Sequence, residues 1–333
     1  MKKASFVVHT AYQNNKLFDL SDAKINRDNC MYPFYLLKQK LAQMGVDLST
    51  QDINPPEASE IVIYNEMPSI LPTKEAISKS YLMLFESELI RQDNWDLSKH
   101  KHFHKIFTWH DDFVDNVKYF KINFAQDIPH NINSESKKER LCTMISGNKK
   151  VNHPLELYSQ RVKAIRWFEK HHPEDFDLYG MGWDSYVHPN RYVRFLLKKL
   201  HIAKYFAPTF PSYKGKVDSK KEVLEKYKFS ICYENGRDIP GYITEKIFDS
   251  LFAGCVPVYW GANNIDTYVP KECFVDRRNF DSYEALYDYM VHMTDEEYNK
   301  YMDAITEYLK SEQIKQFSSE YFAELIAKSV IHE

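Results

Sequence analysis

The stretch from Tyr227 to Gly261 constrains the fold of this chain more than any other part of the sequence. Phe229 to Tyr233 is a short apolar and aromatic run that stops at Asn235-Gly236, which predicts a buried strand followed by a turn. Apolar residues then recur at helical spacing until Ala253-Gly254, a pair typical of a helix end. Cys255 to Tyr259 predicts a second buried strand. The stretch is therefore predicted to be one βαβ unit, which implies a parallel sheet covered by helices on both faces.

Polar residues are concentrated between the first strand of this unit and its helix. The loop after a strand and the N-terminus of the next helix form the ligand edge of a parallel sheet, where backbone N–H groups favour an anion such as phosphate. Thr244 is expected to cap the helix. Lys246 lies in the first turn, where a cation opposes the helix dipole, so it is expected to serve a bound diphosphate. On spacing alone, the alternative that Glu245 and Lys246 are ordinary solvated residues stays open.

Three motifs in this stretch carry a family resemblance. They are Tyr-Glu-Asn at 233–235, Gly-Tyr-Ile-Thr-Glu-Lys-Ile at 241–247, and Ala-Gly-Cys-Val-Pro-Val-Tyr-Trp-Gly at 253–261. In this order they resemble the signature of the α-1,3/4-fucosyltransferases, which use GDP-fucose, and weaker resemblance runs from about residue 81 to residue 280. The resemblance implies an α/β fold of the GT-B type, with two Rossmann-like domains facing a central cleft.

The length of 333 residues also predicts two domains, because it exceeds what one core usually holds. Residues 1–135 are predicted to form an N-terminal, acceptor-binding domain whose last short strand is Ile106 to Trp109. A polar stretch at 130–140 is the predicted linker. Residues 141–310 are predicted to bind GDP-fucose, with a lid or acceptor-side insertion at 184–216. Residues 311–333 are predicted to form a helix that packs back toward the N-terminal domain.

Charge and cysteine content restrict the partners and the compartment. A net charge of −3 and a pI of about 6.5 argue against a nucleic-acid surface. Five cysteines with no CxxC pair indicate a reducing compartment. The N-terminus lacks the apolar run of a signal peptide, and no stretch is long enough to span a membrane. The chain is therefore expected to be soluble and cytoplasmic, and peripheral association with the inner face of a membrane stays open.

Two carboxylates follow predicted strands of the first domain and are candidates for a catalytic base. Glu66 comes after Ile61-Val-Ile-Tyr-Asn, and Glu86 comes after Tyr81-Leu-Met-Leu-Phe, so both are expected at the ligand edge. An inverting sugar transfer needs one base for the acceptor hydroxyl, and a partly desolvated carboxylate suits that task. Phe85-Glu86-Ser87 resembles the family segment that holds the proposed base. Glu86 is therefore the predicted base, with Glu66 in reserve.

The resemblance also assigns residues to the donor. In the family, an arginine after the first strand and loop of the second domain contacts the diphosphate, and Arg161 is the residue in that register. A guanidinium suits the task because it binds phosphate oxygens in a fork. By pattern alone, Lys163 and Arg166 are equivalent helix cations. The residues that the resemblance places at the donor are Arg161 and Lys246 on the diphosphate, and Asn235, Tyr242 and Glu245 around the nucleotide sugar.

No metal site and no required cofactor are predicted. Four histidines between His100 and His110, followed by Asp111-Asp112, are metal-ligand types, but their spacing is not a recognised metal pattern. Cations held at the departing diphosphate imply a reaction without an obligatory metal. Gly180-Met-Gly182-Trp183 lacks the third glycine of a dinucleotide fingerprint, which argues against a dehydrogenase.

The predicted function is that of an inverting α-1,3-fucosyltransferase. It would transfer L-fucose from GDP-fucose to a hydroxyl, O3 of GlcNAc or glucose, of an acceptor oligosaccharide or glycoconjugate. Arg237-Asp238-Ile239-Pro240 replaces the polar residues common at this place in the family, so a GT-B transferase for another GDP-sugar is one alternative. A catalytically silent glycan-binding protein is the other.

Overall fold

The computed structural model describes residues 1–22, 24–132, 137–186, 188, 190–200 and 203–331. They form two compact units: unit 1 comprises Met1–Ile128, Pro240–Tyr242 and Glu312–Glu333, and unit 2 comprises Pro129–Ile239 and Ile243–Ser311. Parts of the predicted linker (133–136), of the predicted insertion (187, 189, 201 and 202) and of the last predicted segment (332 and 333) lie outside the described residues. Within the described ranges, no helix is long and apolar enough to cross a membrane.

Unit 1 contains a six-stranded, fully parallel sheet in the order β2-β1-β3-β4-β5-β6. Its first eight elements are β1 (Lys2–Val7), α1 (Tyr32–Gln43), β2 (Val46–Thr50), β3 (Ile61–Asn65), β4 (Ser80–Leu84), α2 (Leu97–His100), β5 (Lys105–Thr108) and β6 (Tyr119–Lys121). The prediction that the sheet ends at Ile106 to Trp109 is wrong, because β6 pairs with β5 from Ile106 to Thr108. The three half-buried residues of this edge strand lack the apolar run by which a strand is recognised.

Unit 2 contains a second parallel sheet, of five strands in the order β11-β10-β9-β7-β8. Its elements are β7 (Arg140–Ile145), α3 (Tyr158–His171), β8 (Phe176–Tyr179), α4 (Arg191–Lys199), α5 (Lys220–Leu224), β9 (Tyr227–Tyr233), α6 (Glu245–Phe252), β10 (Val256–Trp260), β11 (Val275–Asp276), α7 (Tyr283–His292) and α8 (Asp295–Lys310). The βαβ unit predicted around residues 227–261 is β9-α6-β10, at the centre of this sheet. The α/β prediction is therefore confirmed.

The C-terminal part of the chain completes unit 1. Helix α9 (Ser319–Ile331) packs its buried side chains against those of α1 in one apolar core. The Phe322 ring lies 5.8 Å from the Phe34 ring and 6.2 Å from the Phe85 ring, measured between centroids. Phe85 directly precedes Glu86, so this core supports the loop that carries the predicted base.

We expect Phe322→Ala to lower the free energy of unfolding by about 3–5 kcal/mol, because the truncation leaves a cavity beside the rings of Phe34 and Phe85. Phe322 is 3% exposed, whereas its neighbour Tyr321 is 48% exposed. Tyr321→Ala is the matched control and should change stability by less than about 0.5 kcal/mol. Urea unfolding followed by circular dichroism measures both, and equal losses would contradict a core role for α9.

Candidate functional site

The edge of the unit 2 sheet at which β9 ends is built around the buried carboxylate of Glu234, which directly follows β9 and is 0% exposed. Its Oε1 accepts the backbone N–H of Thr244 at 2.8 Å, and its Oε2 accepts the Thr244 hydroxyl at 2.7 Å. The ammonium of Lys246 lies 3.2 Å from Oε2. A buried charge of this kind is tolerated because each oxygen has a donor and a cation is adjacent. Sequence reasoning placed Glu234 at this edge without giving it a role.

Thr244 does not cap α6, so that prediction is wrong. It occupies the N-cap position but makes no side-chain capping hydrogen bond. Its hydroxyl donates a hydrogen bond to Oε2 of Glu234, and its oxygen accepts a hydrogen bond from the Lys246 ammonium at 2.8 Å. Because both capacities of the hydroxyl are used in this way, Thr244 links the end of β9 to the first turn of α6.

Lys246 is a fixed cation rather than an ordinary solvated one. Its side chain is 20% exposed, and its ammonium also lies 3.2 Å from Oε1 of Glu245. Burial raises the pKa of Glu245, but the ammonium groups of Lys246 and Lys220 outweigh burial and lower that pKa to about 2. Glu245 is therefore ionised at neutral pH.

Gly261 allows β10 to approach this carboxylate. A Cβ at Gly261 would lie 2.6 Å from Cγ of Glu234 and 2.3 Å from the hydroxyl oxygen of Tyr259, both too close for any side chain. The glycine that ends the third sequence motif is thus explained by the close packing around Glu234.

Arg161 and Asn235, two predicted donor residues, meet at the same edge. Arg161 is 3% exposed, and its Nε and Nη2 donate to the backbone carbonyl of Tyr233 at 3.2 and 2.6 Å. Nη2 also donates to Oδ1 of Asn235 at 3.1 Å. The guanidinium lies over the Tyr158 ring, 4.8 Å from its centroid. Arg161 therefore holds the end of β9 and the amide of Asn235 in one arrangement.

Glu86, the predicted base, has an exposed side chain on a tightly held backbone in unit 1. Its N–H donates to Oε1 of Glu66 at 2.9 Å. Its carbonyl accepts hydrogen bonds from Asn94 Nδ2 at 3.1 Å and from the Trp95 indole at 3.0 Å. Both backbone polar groups of Glu86 are therefore bonded to side chains.

Glu66 is partly buried at the end of β3. Its backbone adopts the left-handed conformation, with φ of 74°, an uncommon geometry for a glutamate. Oε1 also accepts the N–H of Phe85 at 3.2 Å, and Oε2 accepts a hydrogen bond from Asn94. Burial raises the pKa of Glu66 to about 7, against the lowering effect of these hydrogen bonds.

Tyr242 belongs to unit 1, unlike the other predicted donor residues. It is 1% exposed, and its ring centroid lies 4.6 Å from that of Trp109 and 6.0 Å from that of Phe124. The preceding Gly241 has φ of 78°, and a Cβ there would lie 2.3 Å from the carbonyl oxygen of Trp109. The structure thus groups Tyr242 with Glu86 in unit 1, and Arg161, Asn235, Glu245 and Lys246 in unit 2.

The histidine-rich stretch between His100 and His110 makes contacts with other parts of unit 1. His100 bonds through Nδ1 to the Tyr119 hydroxyl at 2.9 Å and through Nε2 to the carbonyl of Asn94 at 2.7 Å. His110 packs against Trp95 and Trp109. In the part of the chain that the structure describes, no group of three or more His, Cys, Asp or Glu side chains could hold a metal ion.

The sequence motifs around this edge extend into a family match. Residues 134–326, more than half of the chain, match the family described as "Glycosyltransferase family 10 (fucosyltransferase) C-term". The chain belongs to this family. The motifs that hold Glu234, Thr244 and Lys246 fall inside the matched range, as do Arg161 and Asn235. The resemblance to fucosyltransferases is thereby confirmed.

Individual relatives match shorter stretches of the chain. The α-(1,3)-fucosyltransferase FucT of Helicobacter pylori is 34% identical over 91 residues, 27% of this chain and 19% of that protein. An α-(1,4)-fucosyltransferase of Arabidopsis thaliana is 36% identical over 73 residues, 22% of this chain and 18% of that protein. The chain thus matches about a fifth of the length of each relative.

The fold extends further than the sequence similarity. A crystal structure of an α1,3-fucosyltransferase with GDP-fucose superimposes with a TM-score of 0.56 at 16% identity, over 100% of this chain and 90% of that one. At this identity the likeness concerns the fold alone. It confirms the predicted class, two Rossmann-like α/β domains of the GT-B type.

We expect Lys246→Ala to lower the free energy of unfolding by about 3 kcal/mol, because it leaves the buried carboxylate of Glu234 without its cation. Glu234→Gln combined with Lys246→Ala should cost clearly less than the sum of the two single changes, by about 1–3 kcal/mol. The matched control is the exposed pair of Glu296 and Lys300 on α8, for which Lys300→Ala should cost less than about 0.5 kcal/mol. Additive single effects at Glu234 and Lys246 would contradict the coupling.

Proposed function

We propose that this chain transfers L-fucose from GDP-fucose to a hydroxyl of an acceptor glycan, with inversion at the anomeric carbon. The observation that carries the proposal is the Glu234–Thr244–Lys246 network at the N-terminus of α6, inside the range matched by the fucosyltransferase family. A fixed ammonium at the N-terminus of a helix, where the helix dipole favours an anion, is suited to a diphosphate.

The donor half of the reaction depends on charge that is already in place. As the bond between the fucose C1 and the β-phosphate oxygen breaks, its electron pair stays on GDP, and negative charge grows there. In our proposal Lys246 and Arg161 stabilise that charge, while Asn235, Tyr242 and Glu245 orient the nucleotide sugar. Pre-arranged cations cost no reorganisation during the reaction, so this scheme requires no metal or other cofactor.

The acceptor half needs a base. The proposed base is Glu86, whose carboxylate takes the proton of the acceptor hydroxyl as the oxygen forms its bond to C1 on the face opposite the departing GDP. The products are an α-fucoside, GDP and a protonated Glu86, which returns its proton to solvent. The bonding of both its backbone polar groups, which fixes the position of the residue, supports this role.

The acceptor is proposed to be an oligosaccharide or glycoconjugate that offers O3 of GlcNAc or glucose. One relative is named an α-(1,4)-fucosyltransferase. The experiment must therefore distinguish transfer to O3 from transfer to O4.

The loop at residues 237–240 supports the alternative that the chain uses a different GDP-sugar. Asp238 has φ of 61°, its N–H donates to the carbonyl of Gly261 at 3.0 Å, and its carboxylate pairs with Arg237. The residues that replace the family's usual polar loop thus form a defined turn, so a comparison of donors is part of the test.

The experiment is release of GDP by the purified protein, with EDTA present, from GDP-fucose and from GDP-mannose, each with and without N-acetyllactosamine. We expect acceptor-dependent release from GDP-fucose, and a product whose linkage mass spectrometry assigns to O3. Glu86→Gln should lower turnover by about 100-fold or more, because it removes the base.

The matched control is Glu88→Gln, since Glu88 is exposed two residues further along the same loop and should not affect turnover. Release from GDP-mannose alone would reassign the donor. Glycan binding with neither GDP release nor thermal stabilisation by GDP would mean that the chain is a glycan-binding protein, and would overturn the proposed function.

A further inference from the structure

The backbone of Glu86 is held by a carboxylate that the proposed reaction does not use. Oε1 of Glu66 accepts the N–H groups of Phe85 and Glu86 at 3.2 and 2.9 Å. Oε2 is bonded by Asn94, which also donates to the carbonyl of Glu86 at 3.1 Å. Two side chains from either side of Glu86 in the sequence therefore hold both backbone polar groups of that residue.

Further hydrogen bonds hold both the backbone of Glu66 and the side chain of its partner Asn94. Its N–H donates to the carbonyl of Met83 on β4 at 2.9 Å, although its own φ of 74° is unfavourable for a residue with a side chain. Asn94 is 0% exposed, and its Oδ1 accepts the N–H of Met67 at 3.0 Å. Such a strained conformation persists only where surrounding contacts hold it, which favours a role tied to this position.

We infer that Glu66 is a positioning residue, whose ionised carboxylate orders the backbone of Glu86 and whose negative charge favours proton uptake by the Glu86 side chain. This inference rests on the proposed function, in which Glu86 is the base. The charged groups that face Glu66 are Glu86 and Arg91, and Arg91 also bonds to Asp93 at 3.1 Å. The repulsion between the two glutamates is reciprocal, so an ionised Glu66 strengthens Glu86 as a base.

Protonation of Glu66 should disturb this arrangement. A neutral carboxyl is a weaker acceptor than a carboxylate, so protonation weakens the hydrogen bonds that Glu66 accepts from two backbone N–H groups and one amide. Burial raises the pKa of Glu66 to about 7. Turnover should therefore fall as the pH is lowered through about 7, whereas the ionised arrangement is complete above that value.

The test compares kcat, the KM for GDP-fucose and the pH profile of kcat in the wild type and in the single variant Glu66→Gln. In the single variant an amide N–H faces the Asn94 amide, and kcat should fall about 10–100-fold with little change in KM. In Glu66→Gln the acid limb near pH 7 should move to lower pH.

Glu60→Gln is the matched control, because Glu60 is exposed near the start of β3 and pairs only weakly with Lys2, at 3.8 Å. An unchanged kcat and pH profile in Glu66→Gln would overturn the inference. A loss in Glu66→Gln as large as that in Glu86→Gln would make Glu66 itself the base. Full activity of Glu86→Gln would instead refute the proposed base, whatever Glu66 does.

A second observation, independent of the first, concerns the surface of α4. Among the residues that the structure describes, seven of the sixteen exposed large apolar side chains lie between residues 192 and 206. We define the α4 patch as the five members on α4 and directly after it, namely Tyr192, Val193, Phe195, Leu196 and Leu200. Apolar residues so concentrated on one short segment mark an interaction surface.

The charge of the surrounding sequence identifies the partner. Residues 185–217 contain seven Lys or Arg and no Asp or Glu, although the whole chain has a net charge of −3. Lys199, on α4 itself, is exposed. An exposed helix that combines aromatic and leucine side chains with basic residues is typical of segments that lie in the headgroup layer of an anionic membrane. Nucleic-acid binding would use the basic residues but leave the apolar ones in water.

We propose that the α4 patch docks on the surface of a membrane that contains anionic lipids. Phe195 and Leu196, 68% and 53% exposed, would lose their contact with water at the acyl boundary. Lys199 would remain at the headgroups, where its attraction to anionic lipid is screened by salt. The proposal makes the association peripheral.

The test is sedimentation of the full chain with vesicles of phosphatidylcholine alone, or of phosphatidylcholine mixed with phosphatidylglycerol. The wild type should bind the anionic vesicles, less so at high salt, and Phe195→Ser with Leu196→Ser should lower the bound fraction about tenfold or more. Ile70→Ser, at an 84% exposed position in unit 1, is the matched control. The far-ultraviolet circular dichroism spectrum and the midpoint of thermal unfolding should be unchanged in both variants, which establishes that they are folded.

Failure of the wild type to bind, or unchanged binding of the double variant, would overturn this proposal. Equal binding to neutral vesicles would refute the requirement for anionic lipid. Self-association that disappears in the double variant, without vesicle binding, would assign the patch to a second copy of the chain. Retention of an RNA probe without vesicle binding would assign it to nucleic acid.

Discussion

Parallel pairing, which joins all eleven strands of the described ranges, is the constraint on which the rest of this structure depends. A strand in the middle of a parallel sheet is covered on both faces, so polar side chains that do chemistry are restricted to its ends. In unit 1 the ends of β3 and β4 carry Glu66 and Glu86, and in unit 2 the end of β9 carries Glu234 and Asn235. Because parallel strands finish at one edge, each unit collects its polar residues on one side of its sheet.

Each unit holds a glutamate at the edge where its strands end, but the surroundings of the two glutamates differ. Glu234 and Glu66 each follow a strand, and each accepts a backbone N–H from a neighbouring segment. Glu234 has a cation beside it, so its negative charge is balanced and the ammonium of Lys246 is held in return. Glu66 has no comparable ion pair among its described contacts, and burial raises its pKa toward neutrality. The carboxylate of Glu234 therefore holds the ammonium of Lys246 in place, whereas the carboxylate of Glu66 can change its own charge near neutral pH.

The sequence predicted some features of the candidate site and missed others. The motifs located Asn235, Glu245 and Lys246 correctly at the edge beside β9, because strand end, loop and helix start are contiguous there. Thr244 was expected to cap α6, but its hydroxyl binds Glu234, ten residues earlier, and local pattern does not register such a contact. Edge strand β6 was missed because three half-buried residues carry no periodic signal.

The sequence by itself determined the βαβ unit around residues 227–261 and the family, because hydrophobic period and ordered motifs are local properties of the chain. Only the tertiary structure decided that Glu66 binds the N–H of Glu86, twenty residues away, and that Tyr242 packs on Trp109 in unit 1 while Lys246, four residues later, belongs to unit 2. These contacts depend on strand order and register. Strand order and register are set by the packing of whole elements against one another, which no single stretch of sequence encodes.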